Sequence, residues 1–245
     1  MSEGAHDRAR ARLLLLADSA FPTGAFAHSW GLEWAVRAGW VTDAGSLAAW
    51  TRDALRFGIA PLDGRAVARA AAVTAPGTEW APGTERAVRK LARLSDEVAS
   101  FQPSREARAA GGQLGRSLVR AAADALPALR DHPAHAGVTR ATAGRDDRLQ
   151  HPVAWGFVGG ALGIDAAELL QVFLLGTVRQ WSQVAVRTVP VGQSDAVAVV
   201  GALLEDVTGL ARRIARQPRM LASAAPGWDA AVLGHGELTA RYFRS

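Results

Sequence analysis

The chain contains no cysteine, a single tyrosine and, in Lys90, a single lysine among its 28 basic Lys and Arg residues. Without cysteine there are no disulfides, no thiol nucleophiles and no thiolate metal sites, which fits a cytoplasmic protein. β-branched residues seldom run together, so strands are little favoured. Neither G-x-x-x-x-G-K-[ST] nor H-E-x-x-H is present, which leaves a nucleotide-hydrolysing site and a zincin-like site without support. No internal repeat or low-complexity segment occurs. The basic N-terminus runs into four leucines, Leu13 to Leu16. That run is too short for a secretory signal and reads as part of a first helix. The longest apolar stretch, from Val153 to Val178, is interrupted by Asp165 and Glu168. A charged pair at a bilayer centre is costly, so the stretch reads as two buried helices joined at Gly163-Ile164, not as a membrane span.

What is present is alanine, leucine and arginine in a chain of 245 residues that is 49% hydrophobic. These are helix formers, and the expected fold is an all-α, single-domain bundle of roughly eight to ten helices. A polar, mobile leader is expected over residues 1–7, then a helix over 8–18 that stops at the Ser19–Gly24 turn, where Pro22 forbids continuation. A second helix is expected over 26–38, ended by Gly39. Asp43 caps a third, which "GIAPLDG" ends, and Pro61 starts a fourth. "PGTEWAPG", residues 76–83, reads as a linker. Leu91, Leu94, Val98 and Phe101 recur at helical spacing. Ser104 caps a helix reaching about Leu126. Residues 127–150 show no periodicity and read as a long loop. Gly156, Gly159, Gly160 and Gly163 imply close helix–helix contact, and Asp165-x-x-Glu168 resembles a capping box. Ser194 is expected to cap one helix that runs to Pro218. The segment 219–245 reads as an exposed, basic-aromatic, partner-binding tail.

Candidate chemistry is sparse. Of the six histidines, only His132 and His135 are close in sequence, and Pro133 between them disfavours a helical metal face; no metal site is expected. The Asp146-Asp147 doublet has no second acidic motif. His28 and Ser29, adjacent on the expected second helix, would diverge by about 100° and could not form a nucleophile–base pair. A helical enzyme using His28 and Glu33, or the Asp146-Asp147 loop, is one alternative. An arginine-driven nucleic-acid binder is another, though a net charge of +5 without a basic stripe favours neither nucleic acid nor membrane. Eight tryptophans and many arginines suit protein interfaces, although any single tryptophan is first a core residue.

One resemblance draws these features together. "FPTGAFAHSWGLEWAVRAGWVTD" is similar to the N-terminal signature of the UreF family of urease accessory proteins. "SREARAAGGQLGRSLVR", "HPVAWGFVGGALGI", "VAVRTVPVGQSDAV" and the closing "RYFRS" resemble further family stretches, in order. The resemblance implies an all-α homodimer without catalysis of its own and with no tightly bound cofactor. It implies partners in a UreD-type (UreH) accessory protein, the UreG GTPase and apo-urease, in an assembly that couples GTP turnover to nickel delivery. Carried over residue by residue, Pro22, Gly24, Phe26, Gly31, Leu32, Gly115, Pro190 and Gly192 are structural. The resemblance gives His28, Ser29, Glu33, Arg108, Arg116, Arg187, Gln193, Asp195, His235, Arg241, Tyr242, Phe243 and Arg244 as candidates for partner contact. The tail departs from the family pattern at His235-Gly236-Glu237, where His-Glu-Thr-Gln-Tyr is usual.

Overall fold

A computed structural model describes residues 3–77, 85–143, 148–217 and 219–244, with the Glu3 and Phe26 side chains excepted. The described residues are helical, with no strand among them. Asp146-Asp147 and most of the expected 76–83 linker lie outside the described residues.

Helix α1 (Glu3–Leu16) begins before the expected boundary, so residues 3–7 form its first turns and not a separate leader. Between α1 and α2 (Leu32–Arg37) the chain is irregular, with a 3₁₀ turn at Ala25–Ala27, extended backbone at His28 and positive φ at Trp30 and Gly31. The expected helix over 26–38 therefore forms only in its second half. Helix α3 (Ala44–Ala54) is capped as the sequence indicates: the Asp43 carboxylate accepts from the Ser46 N–H at 2.8 Å, and the Ser46 hydroxyl accepts from the Asp43 N–H.

"GIAPLDG" does not break the chain. Residues Leu55–Gly64 form a π-helical stretch that joins α3 to α4 (Arg65–Thr74). Pro61 has no N–H to offer the carbonyl four residues back, which would orphan Phe57 O in an α-helix. Here Phe57 O accepts from Ala224 N at 2.8 Å, so the C-terminal segment satisfies the carbonyl that the proline would leave open in an α-helix, and Pro61 O accepts from Ala222 N at 3.2 Å. With α3, the π stretch and α4 taken as one, ten helices of seven or more residues occur among the described residues, within the expected range.

Helix α5 (Glu85–Phe101) buries Leu91, Leu94 and Val98, while Phe101 at its end is exposed. Ser104 caps α6 (Arg105–Ala125), its hydroxyl accepting from Ala107 N at 3.0 Å. The expected 127–150 loop instead holds α7 (Pro127–Arg130) and α8 (Pro133–Thr142), each opening on a proline at its first position. Leu129 and Val138 anchor them in the core.

Helix α9 (His151–Ala161) lies against α4 with backbone nearly touching backbone. A Cβ on Gly156 would collide with Val67 O and Ala70, and one on Gly160 with Ala71 O and the Thr74 hydroxyl. Asp165 caps α10 (Ala166–Thr188), accepting from Ala167 N and Glu168 N. This helix is the axis of the core: Leu169, Leu170, Leu174, Val178 and Trp181 are fully enclosed, and Trp181 contacts Trp50 and Trp228 edge to face. The expected helix from Ser194 to Pro218 divides at Leu203 into α11 (Gln193–Ala202) and α12 (Leu204–Arg216). Its cap is not Ser194: Asp195 turns back to accept from the Gly192 N–H at 3.1 Å. Helix α13 (Pro226–Gly234) and a 3₁₀ turn (His235–Glu237) lead into the tail. No helix among the described residues is long and apolar enough to cross a membrane.

Candidate functional site: the N-terminal motif clasped to the C-terminal tail

Within the irregular stretch 25–31, His28, Ser29 and Gly31 are buried, so carbonyls there need donors. Besides the backbone N–H groups of His28 and Leu32, which reach Ala25 O and Ser29 O, three side chains donate to it. Gln180 Nε2 donates to Ala25 O and His28 O, both at 2.7 Å; Trp181 Nε1 donates to Ser29 O at 3.0 Å; Trp228 Nε1 donates to Trp30 O at 2.9 Å. A glutamine and two indoles thus hold open a segment that would otherwise coil. Gly31 adopts φ +86 beneath α13, where a Cβ would lie 2.8 Å from Val232 N. Only glycine meets both demands.

The stretch delivers Leu32 and Glu33 into the interior at the start of α2, and Glu33 is 1% exposed. Its carboxylate reaches the C-terminal tail. Oε1 accepts from Tyr242 N at 2.8 Å and Oε2 from Phe243 N at 3.1 Å. The tail is pinned further by Arg244 N donating to Ala27 O at 2.8 Å and by Arg37 donating to Ala240 O at 3.1 Å. Phe243 is buried, and the Arg187 guanidinium stands 6.0 Å above its ring.

A second carboxylate completes the clasp. Glu106, in the first turn of α6, pairs with Arg241 at 3.1 Å, while Arg241 also donates to Gly236 O at 2.7 Å. His235 is buried between the two acids, with Nε2 3.5 Å from Glu33 and Nδ1 3.9 Å from Glu106; neither nitrogen makes a hydrogen bond. His28 stacks on Trp30, and burial, followed by the charges of Arg244 and His235, lowers its pKa to about 4, so it is neutral at physiological pH. His151, below the N-terminal turn, accepts from Trp155 Nε1 at 3.0 Å and is likewise lowered to about 4, first by burial and then by His28.

Several expectations are corrected by this geometry. The tail is not a free, exposed ending: Phe243 is inside, and Tyr242, Arg241 and Arg244 face outward from a fixed backbone. Glu33 and His235 are internal, their polar atoms turned to the chain itself instead of to solvent. His28 and Ser29 do fail as a nucleophile–base pair, but not through helical divergence, since neither lies in a helix; the Ser29 hydroxyl is buried with no hydrogen-bond partner. His28 and Glu33 do not share a helix either.

The structure brings His28, Glu33, Arg187, His235, Arg241, Tyr242, Phe243 and Arg244 together. Other candidates are engaged locally. Arg108 donates to Gln102 O at 3.2 Å, Gln193 pairs with Gln183, and Asp195 is the α11 cap. Arg116 lines a different pocket with Arg120, Arg130 and His135. Gly115 packs against the chain before α9, with Leu149 O where its Cβ would be. Pro190 and Gly192 shape the turn into α11. Pro22 and Gly24, the latter at φ +80, lie in the turn before the 3₁₀ segment. Glu106, Gln180, Trp181 and Trp228 were not anticipated. Gln180 carried a signal, as a polar residue between Val178 and Trp181 on an apolar face; Glu106 reads only as a helix-start acid. Among the described residues no group of three or more histidine or acidic side chains is placed to hold a metal.

The UreF family model matches residues 41–204. Three urease accessory proteins UreF show the breadth of the similarity. The one from Rhodopseudomonas palustris (strain BisA53) is 35% identical over 96% of this chain and 92% of its own. That from Methylorubrum populi is 34% identical over 96% and 98%. That from Bradyrhizobium sp. (strain BTAi1) is 32% identical over 96% and 91%. Glu33 and the tail residues of the clasp lie outside the span of the family model, whereas Glu106 and Arg187 fall within it; by the family model and by these relatives alike, the chain belongs to the UreF family of urease accessory proteins.

Proposed function

We propose that this chain is a non-catalytic urease maturation factor. It holds a UreD-type accessory protein and the UreG GTPase on apo-urease and couples GTP turnover to nickel delivery, working as a homodimer in the cytoplasm. Nickel is cargo of the assembled complex and not a resident cofactor. The observation that carries the reading is the clasp. A tail whose two backbone amides are gripped by a buried carboxylate presents Tyr242, which is 76% exposed, together with Arg241 and Arg244, at a defined place and orientation. An aromatic and arginines on a pre-ordered backbone are what a protein interface uses for its strongest contacts, because little entropy remains to be lost on binding.

Co-purification with UreD-type and UreG homologues, joined to a urease activation assay, tests the proposal. Tyr242→Ala combined with Arg244→Glu leaves the clasp amides in place and is expected to weaken UreD-type binding at least tenfold. Helix content should be unchanged by circular dichroism. Wild-type affinity in that variant would remove the tail from the interface, and failure of both homologues to bind the unaltered chain would overturn the scaffold reading.

A further inference from the structure

A groove runs along α12, away from the clasp. Its floor is apolar, formed by Ala60 and Pro61 of the π stretch and by Leu210 and Ile214 of α12. Its rims carry four guanidinium groups, from Arg56, Arg65, Arg213 and Arg219. Past Arg56 and Arg213 it continues to Phe57, Glu205 and Asp206.

The charges are unequally matched. Asp206 takes Arg52 at 2.9 Å and also Arg56, and hydrogen bonds from Arg52, with further help from Arg56, hold its pKa below the usual range. At the other end the acceptors among the described residues are neutral: Arg65 donates to Met220 O at 2.6 Å, and Arg219 to Gln217 Oε1 at 3.2 Å. Arg213 is exposed, and among the described residues no carboxylate lines this half of the groove. The wall is fixed, because Ala222 and Ala224 are bonded to the π-stretch carbonyls and Leu221 is buried. Met220 and Phe57 stand out at the lip, 81% and 52% exposed.

From Glu205 to Gln217 the groove follows α12 for about 18 Å, the length of five to six residues of extended chain. Leu210 and Ile214 are one helical turn apart, about 6 Å, which is close to the spacing of alternate residues in an extended peptide. We propose that this groove docks an acidic, extended segment of a partner protein. Alternate apolar side chains would rest on Leu210 and Ile214, and the carboxylates between them would meet Arg65, Arg213 and Arg219. Arginine favours such a ligand because its planar fork binds carboxylates in pairs and loses little order in doing so. The apolar floor selects a peptide over a bare anion. This site is independent of the clasp and of the maturation role.

The probe is a fluorescein-labelled heptapeptide of alternating glutamate and leucine, followed by anisotropy at physiological salt, with a lysine–leucine heptapeptide as control. The unaltered protein should bind the acidic peptide and not the basic one. Arg213→Glu should weaken binding at least tenfold, whereas Arg120→Glu, on α6, should change it less than twofold. Circular dichroism verifies the fold, and Arg219→Glu serves if Arg213→Glu does not fold. Equal loss in both variants would reduce the effect to net charge and overturn the proposal, as would an undiminished affinity in Arg213→Glu. Binding of inorganic phosphate without binding of the peptide would make this a small-anion site and likewise overturn it.

Discussion

Glu33→Ala is the most informative single perturbation of the clasp. It removes the acceptor of two backbone N–H groups, at 2.8 and 3.1 Å, from a site where the carboxylate is 1% exposed. Hydrogen bonds to a charged acceptor contribute about 1.5–3 kcal/mol each, and an N–H left buried without a partner costs about 1–3 kcal/mol. The Tyr242 amide is partly accessible to water, so about 3 kcal/mol for the pair is a fair figure. Because the bonds tie down a terminus and not a core helix, that energy should appear as local opening of the tail. At about 1.4 kcal/mol per decade, amide exchange at Tyr242 and Phe243 should accelerate roughly 150-fold. Hydrogen exchange measured by NMR reads this directly. The Arg244 amide, bonded to Ala27 O, shows whether the tail leaves as one unit. Glu33→Gln keeps the shape but only one carbonyl acceptor, and should fall between. Exchange at Tyr242 and Phe243 within threefold of the unaltered protein would refute the clasp. So would equal acceleration of the Val178 and Val184 amides in α10, since that would mean global destabilisation.

Three further outcomes are expected. The pKa of His28 and His151 lies near 4 in the folded state against 6.5 unfolded, so between these values the unfolded chain binds two more protons; Asp63, raised to about 7 by burial, binds one more when folded. From these groups alone, stability should rise with pH between about 4 and 6.5 by on the order of 1 kcal/mol per unit, and Asp63→Asn should roughly double that slope; urea titrations at pH 5 and 6 measure both, and a flat profile would contradict them. Gly115→Ala should lower stability by about 2 kcal/mol or more, read as a marked fall in the thermal midpoint, because the methyl meets Leu149 O; Gly176→Ala, a helical site with no atom within 4 Å, should raise stability by about 0.5–1 kcal/mol. Gln180→Ala removes the side-chain donor of His28 O and one of the two donors of Ala25 O, which keeps the His28 N–H, and should cost about 2 kcal/mol by calorimetry, whereas Gln183→Ala on the surface should cost less than about 0.5 kcal/mol.

The sequence by itself determined the helices whose signals are local. Asp43, Ser104 and Asp165 stand three residues or fewer from the N–H groups they cap, and Gly156 and Gly160 mark by spacing alone the face that meets α4. Motif order likewise indicated the family. Where the deciding partner is distant, the sequence was silent. Helices α7 and α8 are short and contain glycine or proline, so their stability comes from Leu129 and Val138 packing in the core and not from propensity. Pro61 reads as a break because the donors that rescue its neighbours' carbonyls, Ala222 and Ala224, lie more than 150 positions along the chain. The same reason governs the site. Glu33 looks like a surface residue of an amphipathic helix, and "RYFRS" looks like a loose basic end, until a carboxylate and two amides separated by 209 and 210 positions are brought within 3.1 Å. Local chemistry chose the elements; only tertiary packing, which gives most buried backbone polar groups their partners, joined the first motif of the chain to its last.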